Sequence, residues 1–287
     1  MIASGQTERT TAKITSQHGI DCQFERVPAI LYSTQNAVPL KEEAEAAASL
    51  GIDAYFTGET ELSFPVEGAV CFPNQAQFSP LAFIRHICQK LDIREHTKVI
   101  KIRGNKVITK AGVMTADHIV VATHYPMRNV PGFYFLRQHQ ERSYVLLLGG
   151  SSCRTGENKN GGAYDALTRA AEQYYPGYKE IMRWSAQDCM THDGIPFIGR
   201  YSVFTPGLYV ITGFQKWGMT SSMIAAMILR DKLCGMENPY EKVFSPQRIN
   251  LRASIGSLFT DIGMSIKGLT KGLLCKQSPR CPHMDCV

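Results

Sequence analysis

The sequence predicts a mixed α/β fold with a second, antiparallel sheet. Three observations carry that expectation. Stretches rich in helix formers alternate with short β-branched runs. The run Ile119-Val120-Val121-Ala122 has the continuous hydrophobicity of a strand buried on both faces. Turns such as Gly104-Asn105 join neighbouring runs in the manner of a hairpin.

In chain order, residues 23–33 (QFERVPAILYS) carry β-branched and aromatic side chains and predict a strand. Residues 40–50 (LKEEAEAAASL) are strong helix formers stopped by Gly51. Ser79 is an N-cap candidate for a helix over 80–91, whose apolar positions Leu81, Ile84, Ile87, Cys88 and Leu91 recur at helical spacing. TKVIKIRG, NKVITKAG and GVMTADHIVVAT follow as short strands, and SYVLLLGG (143–150) as a further one. Residues 161–174 predict a helix closed by Pro176-Gly177. LYVIT (208–212) is a short strand, and 219–233 a helix.

At 287 residues the chain has length for one large domain or two interleaved ones. Its charge of +6 is spread along the sequence, which argues for a solvated surface and against nucleic acid. No apolar run reaches the roughly 18 residues that span a bilayer, so membrane association is not expected. Nine scattered cysteines, an odd number, fit reduced thiols in a cytoplasmic protein better than a disulfide framework.

The chemistry concentrates in residues 206–233 (PGLYVITGFQKWGMTSSMIAAMILRDKL). A strand runs into Gly213, a turn contains Gly218, and a helix follows at once. The first amides of a helix lack internal partners and lie at its positive end, which suits an anion. Because the helix is apolar almost all round (Met223 to Ile228), it is expected to be buried, with its start aimed inward. Spacing alone leaves two readings open, an anion site or a packing glycine in an αβ turn.

Several separated motifs agree in order with one family. GFQKWGMT, preceded by THDGIPFIGR and followed by NPYEKVFSPQR, resembles the C-terminal flavin-contacting region of the glycine/D-amino acid oxidase (DAO) superfamily of FAD-dependent oxidoreductases. Within it, the chain is similar to the bacterial subgroup that carries a C-terminal Rieske [2Fe-2S] domain. SGQTERTTAKITSQHG (4–19), TADHIVVATHYP (115–126) and WSAQDCMTHDGIPFIG (184–199) extend the resemblance over most of residues 1–250.

The resemblance implies an incomplete FAD-binding Rossmann-like domain (1–19, 68–126 and 185–247) interleaved with an antiparallel-sheet substrate domain (20–67 and 127–184). A linker helix and the start of a Rieske domain would occupy 248–287. It implies cofactor contacts from Gly213, Phe214, Lys216, Trp217, Gly218, Met219 and Thr220 at the flavin N1–C2=O edge, where reduction places negative charge. Lys216 is there either a positive charge or a solvated lysine. Ser4, Gly5, Gln6, Thr7, Thr10, Thr11 and Ala12 would line the flavin from the other side. Composition alone reads that second segment as a polar loop.

The family's opening G-x-G-x-x-G unit has no counterpart, and SQHG passes straight into IDCQFERVPAILYS where the family places long helices. FAD binding by this chain is therefore expected to be weak or absent. Near the end, Cys281 and His283 in CPHMDC match the C-x-H half of a Rieske site. No C-x-x-H follows it to supply the other half, the one at Cys189–His192 lying far upstream, so a [2Fe-2S] cluster is not expected. Zinc on Cys281, His283 and Cys286 would want a fourth ligand.

The implied function is oxidation of an amine or amino acid by FAD, with electrons passed toward a Rieske centre and activity impaired in this chain. The alternative is a non-catalytic remnant or binding module that keeps the substrate-domain fold without cofactor. Arg137, Arg142 and Arg154 are candidates to pair a substrate carboxylate, each weighed against an ordinary surface arginine. His18, His124 and His192 lie beside the motifs, with structural histidines as the default.

Overall fold

The computed structural model describes residues 2–127, 131–146, 149–154 and 163–248. The chain opens with helix α1 (Ile2–Gln17), strand β1 (Glu25–Ser33), helix α2 (Val38–Ser49) and strands β2 (Tyr55–Thr57) and β3 (Gly68–Gln77). Helix α3 (Pro80–Cys88) follows, then strands β4 (Val99–Arg103), β5 (Lys106–Thr109), β6 (Gly112–Thr115) and β7 (Ile119–Val121). A 3-10 turn (Tyr134–Leu136) leads to β8 (Gln138–Leu146) and β9 (Gly149–Arg154), helix α4 (Ala163–Tyr174) and strands β10 (Trp184–Thr191), β11 (Phe197–Arg200) and β12 (Leu208–Thr212). Helices α5 (Gly218–Leu233) and α6 (Glu241–Phe244) close the described fold.

These strands form four three-stranded sheets, ordered β1-β3-β2, β4-β5-β6, β10-β8-β9 and β11-β12-β7. The antiparallel ones match the expectation of hairpins; β12 and β7 are a parallel pair. Hydrogen bonding runs across two expected domain boundaries, since β3 joins β1 and β2, and β10 joins β8.

The β11-β12-β7 sheet is the centre of the packing. Along β12, Leu208 and Val210 face a cluster with Val121, Ile102, Phe197 and Tyr134, whereas Tyr209 faces Ile224, Ala225, Ile228 and Leu229 of α5. Alternate residues of a strand point to opposite faces, so β12 is covered on both. That pattern was expected for β7. Yet β7 is the last described strand of its sheet, and Val120 is 40% exposed.

Other expectations also need correction. Residues 4–17 are helical, not a polar loop, and α1 packs against α5 through a contact between Thr10 and Met227. The run 143–150 is divided between β8 and β9, and Gly149-Gly150 opens a strand. Helix α5 buries one face only, through Ser221, Ile224, Ala225, Ile228 and Leu229, while Ser222, Ala226 and Arg230 stay exposed. Met219 and Leu233 are exposed as well, so apolar composition overstated its burial.

Candidate functional site

In sheets with parallel strands, ligands sit outside the carboxyl ends of those strands. Here β7 leads into 122–127 and β12 into 213–217, and one buried side chain ties the two loops. Thr212, 2% exposed, donates its hydroxyl to the carbonyl of His124. Gln138 Oε1 lies 3.4 Å from the same hydroxyl, and Cys189 Sγ 3.6 Å. Burial pushes the Cys189 thiol upward, partly offset by hydrogen bonds from Thr212 and Gly213. The Gln215 amide donates to Cys189 O at 3.0 Å, which fastens the second loop to β10.

Three residues here hold left-handed backbone: His124 (φ 61°), Gly213 (φ 74°) and Gln215 (φ 53°). At Gly213 the requirement is also steric, because a Cβ would lie 2.3 Å from Thr191 Cγ2. Gly213 therefore packs closely against Thr191 of β10.

Gly218 is different. A Cβ there meets nothing within 4 Å. Trp217 is the N-cap of α5 and makes no side-chain cap bond; the amides of Gly218, Met219 and Thr220 have no partner among the described residues. The start of α5 therefore keeps its three orphan donors and its positive end.

That start does not point inward as expected. Lys216, Trp217, Gly218 and Met219 are exposed, Trp217 to 68%. Phe214 packs in the α5 core cluster and its carbonyl accepts from Trp217 N–H at 2.9 Å, a turn that carries 216–219 to the surface.

Beside this start lies a cleft of about 110 Å³, lined by Met219 and Thr220 of α5 and by Thr11 of α1. The structure thus brings together members of the two segments read separately from sequence. Thr11 is 6% exposed, and its carbonyl accepts from Thr15 at 2.8 Å. Thr10 sits against Met227 Sδ at 3.8 Å and Ala12 is half-buried. The side chains of Ser4, Gly5, Gln6 and Thr7 lie outside the described residues, as do Cys281 and His283. Among the described residues no group of three His, Cys, Asp or Glu could hold a metal ion.

The three candidate arginines separate. Arg137 stacks on Phe197 at 4.3 Å and donates to Arg248 O at 3.2 Å; burial lowers its pKa. It is a packing residue. Arg142 is half-buried on β8, on the face it shares with Gln138, with no carboxylate partner among the described residues. The Arg154 side chain lies outside them. His192 Nε2 is 3.1 Å from Leu136 O, and its ring stacks on His139 at 5.9 Å; His18 is exposed beyond α1.

Sequence reading missed Gln138, Cys189, Thr212 and Gln215, which meet only through tertiary contacts between β8, β10 and β12. It also missed Asp193, whose carboxylate is held by Arg248. A D-G turn before a strand was the available signal for Asp193; nothing local marked the others. Among the described residues, no helix is long and apolar enough to cross a membrane.

The family model described as FAD dependent oxidoreductase (DAO) matches residues 2–146 and 124–232. A curated relative, YhfW of Bacillus subtilis (strain 168), named as a Rieske 2Fe-2S iron-sulfur protein, is 31% identical over 310 residues, covering 92% of this chain and 61% of its own length. The chain therefore spans about three-fifths of that relative. Among solved structures, glycine oxidase from Bacillus cereus ATCC 14579 superposes with a TM-score of 0.70 at 17% identity, covering 87% of this chain and 84% of that one. Glycine oxidase from Geobacillus kaustophilus gives 0.69 at 19% (85% and 82%), and L-proline dehydrogenase from P. horikoshii 0.68 at 15% (86% and 82%). With the match running from α1 through α5, across both walls of the cleft, the chain belongs to the DAO family of FAD-dependent oxidoreductases.

Proposed function

We propose that this chain is the flavin-holding part of an FAD-dependent oxidoreductase that oxidises the C–N bond of an amine or amino acid, in a protein that passes electrons toward a Rieske centre. The observation that carries this reading is the uncapped start of α5, whose three unpartnered amides stand beside a cleft walled on the other side by α1. Oriented amides at the positive end of a helix stabilise negative charge without reorganising, which is what a flavin edge needs as it is reduced. On that donor set, the residues fit the ring edge of FAD.

When bound, FAD accepts the hydride that leaves the carbon next to nitrogen. The chain's part is to orient and to stabilise. Gly218, Met219 and Thr220 offer their amides, Gly213 and Phe214 set the turn that presents them, and Lys216 and Trp217 cover its exposed side. Thr10, Thr11 and Ala12, continuous with Ser4, Gly5, Gln6 and Thr7 in α1, form the opposite wall. Arg142, half-buried on the β8 face that carries Gln138, is kept as the candidate for a substrate carboxylate. The phosphate half is less well served: the sequence holds no G-x-G-x-x-G unit.

Relatives support the electron route and the substrate class: YhfW by its Rieske name, glycine oxidase and L-proline dehydrogenase by theirs. Five described cysteines are free thiols, which supports a reducing compartment such as the cytoplasm.

Titration with FAD followed by calorimetry and visible absorbance tests the reading. Saturable binding weaker than about 1 μM is expected, with loss in Gly218→Val, and anaerobic glycine, L-proline or simple amines should bleach the bound flavin. A protein that stays colourless in excess FAD favours the non-catalytic binding module instead.

A further inference from the structure

The β4-β5-β6 sheet has two unlike faces. Alternate residues point to opposite sides of a strand. One side carries Ile102, Val107, Thr109 and Met114. It faces the protein: Ile102 joins the cluster with Val121, Tyr134 and Phe197, and Arg94 Nη1 reaches Met114 Sδ at 3.3 Å. The other side carries Lys101, Arg103, Lys106, Ile108, Val113 and Thr115, and all but Ile108 are exposed.

That outer side has charge of one sign. Residues 96–116 hold Lys98, Lys101, Arg103, Lys106 and Lys110, and no Asp or Glu. With Arg85, Lys90 and Arg94 set against Asp92 and Glu95, residues 85–110 carry the chain's whole formal excess of +6. The even spread of charge expected from the sequence therefore does not hold. Register brings the cations closer still. Arg103 and Lys106 are direct cross-strand partners, and the pairing of Val99 with Thr109 sets Lys98 beside Lys110 just past the ladder. Like charges directly opposite one another weaken a sheet. None of the five forms an ion pair among the described residues. Strands of this length make a face of about 15 Å by 10 Å, so the charges act together across one or two Debye lengths of about 8 Å. Exposed aliphatic side chains stand among them: Ile100, the extra residue of a bulge, at 54%, and Val113 at 60%.

We propose that this face is a peripheral docking surface for a membrane of anionic phospholipid. Cations at the headgroups and shallow insertion of apolar side chains are what such a surface rewards. Composition favours lipid over other polyanions. Residues 96–116 contain no Phe, Tyr or Trp on which nucleobases stack, and four of the five cations are lysine, which is depleted at protein interfaces. The missing apolar run, which argued against a membrane, bears only on spanning. Neither flavin nor amine substrate enters here, so the surface stands or falls apart from the oxidase reading.

Sedimentation of the full chain with vesicles is the test, comparing phosphatidylcholine alone with the same lipid containing about 30 mol% phosphatidylglycerol. Binding to the anionic vesicles is expected to be about a hundredfold tighter, and to weaken as salt rises from about 0.1 M to about 0.5 M. Lys106→Gln should weaken it about fivefold, one charge's share, and the combined Lys101→Gln, Arg103→Gln and Lys106→Gln variant should lose nearly all of the preference. Val113→Asn should weaken binding about threefold without altering the salt dependence, because it removes inserted apolar surface and no charge. Lys179→Gln, at an exposed lysine beyond α4, should change nothing. Circular dichroism confirms the folds, and Lys106→Gln alone keeps the test decisive if the triple variant unfolds. Equal affinity for neutral and anionic vesicles, no weakening by salt, or a Lys106→Gln variant that binds like Lys179→Gln overturns the proposal. So does a mixed-sequence DNA duplex that binds as tightly as the vesicles at equal phosphate and is indifferent to Val113→Asn, which would give the face to nucleic acid.

Discussion

Arg248→Ala should be among the most damaging single substitutions outside the apolar core. Its guanidinium donates through Nε to Asp193 Oδ2 at 2.7 Å and through Nη2 to Oδ1 at 2.8 Å. It also bonds the carbonyls of Ile195, Pro196 and Ser245, and stacks on Phe197 at 4.2 Å. The two side chains are 12% and 6% exposed, so this is a buried pair with every strong donor employed. Removing one partner of such a pair strands the other charge and costs about 3–5 kcal/mol. At about 2–4 °C per kcal/mol for a domain of this class, the melting temperature should fall by about 6–20 °C. The ion pair also predicts an acid dependence. Burial pushes the Asp193 carboxyl up, but the hydrogen bonds and charge of Arg248 outweigh it and hold the group below its usual range. A depressed carboxylate adds stability that is complete above its unfolded value of about 3.9 and is lost as pH falls through the lower folded value. Urea denaturation across acid pH, on wild type, Arg248→Ala, Asp193→Asn and the double variant, measures both effects. The double variant should lose less than the sum of the singles, by about 1 kcal/mol or more. A loss below about 0.5 kcal/mol for Arg248→Ala, or strict additivity, would refute the reasoning.

Three further outcomes follow from the same contacts. Gly213→Ala combines a left-handed backbone with a 2.3 Å approach to Thr191, and should cost about 2–5 kcal/mol in urea unfolding. Tyr134→Phe removes the hydroxyl that donates to the buried Tyr201 carbonyl at 2.8 Å, and should cost about 1–3 kcal/mol; spectroscopic titration should find the wild-type phenol, raised chiefly by burial, still protonated where exposed tyrosines ionise. Among the described cysteines, exposed Cys234 should react first with a thiol reagent. Buried Cys189, its thiol raised by burial, should be labelled only as the fold opens, and mass spectrometry of timed samples separates the two.

Local pattern carried what local energetics decides. The β12–α5 passage was legible because a glycine-ended β run and a long apolar helix are each set by near neighbours, and both begin and end within a residue of the expected bounds. Residues 4–17 were not, since threonine-rich sequence has weak helix propensity; contact with α5 overrides it. The exposure of Val120 was hidden for a different reason: hydrophobic runs do not tell whether a strand is central or at an edge. Arg248 and Asp193 lie 55 residues apart, and no spacing rule joins them. Of the residues that line the cleft, Thr11, Met219 and Thr220 lie in segments singled out from sequence, whereas Phe24, Phe78 and Phe83 come together only with β3 and α3 folded against α1.

The site also departs from ordinary local preference in a consistent direction. Helix α5 has no side-chain cap, and His124 and Gln215 hold a left-handed backbone that costs an L-residue roughly 1–2 kcal/mol. Such departures persist only where surrounding contacts over-determine them. Here those contacts can be named: Thr212 fixes the His124 carbonyl, and Cys189 O fixes the Gln215 amide. Both anchors are buried beneath the loops, so the bonds that hold the backbone in place do not consume the donors of Gly218, Met219 and Thr220. A fold that only needed a stable αβ turn would relax both residues to glycine and cap the helix with serine, each change worth a few tenths to about 2 kcal/mol. Leaving the helix start uncapped keeps available the one amide that a serine cap would consume.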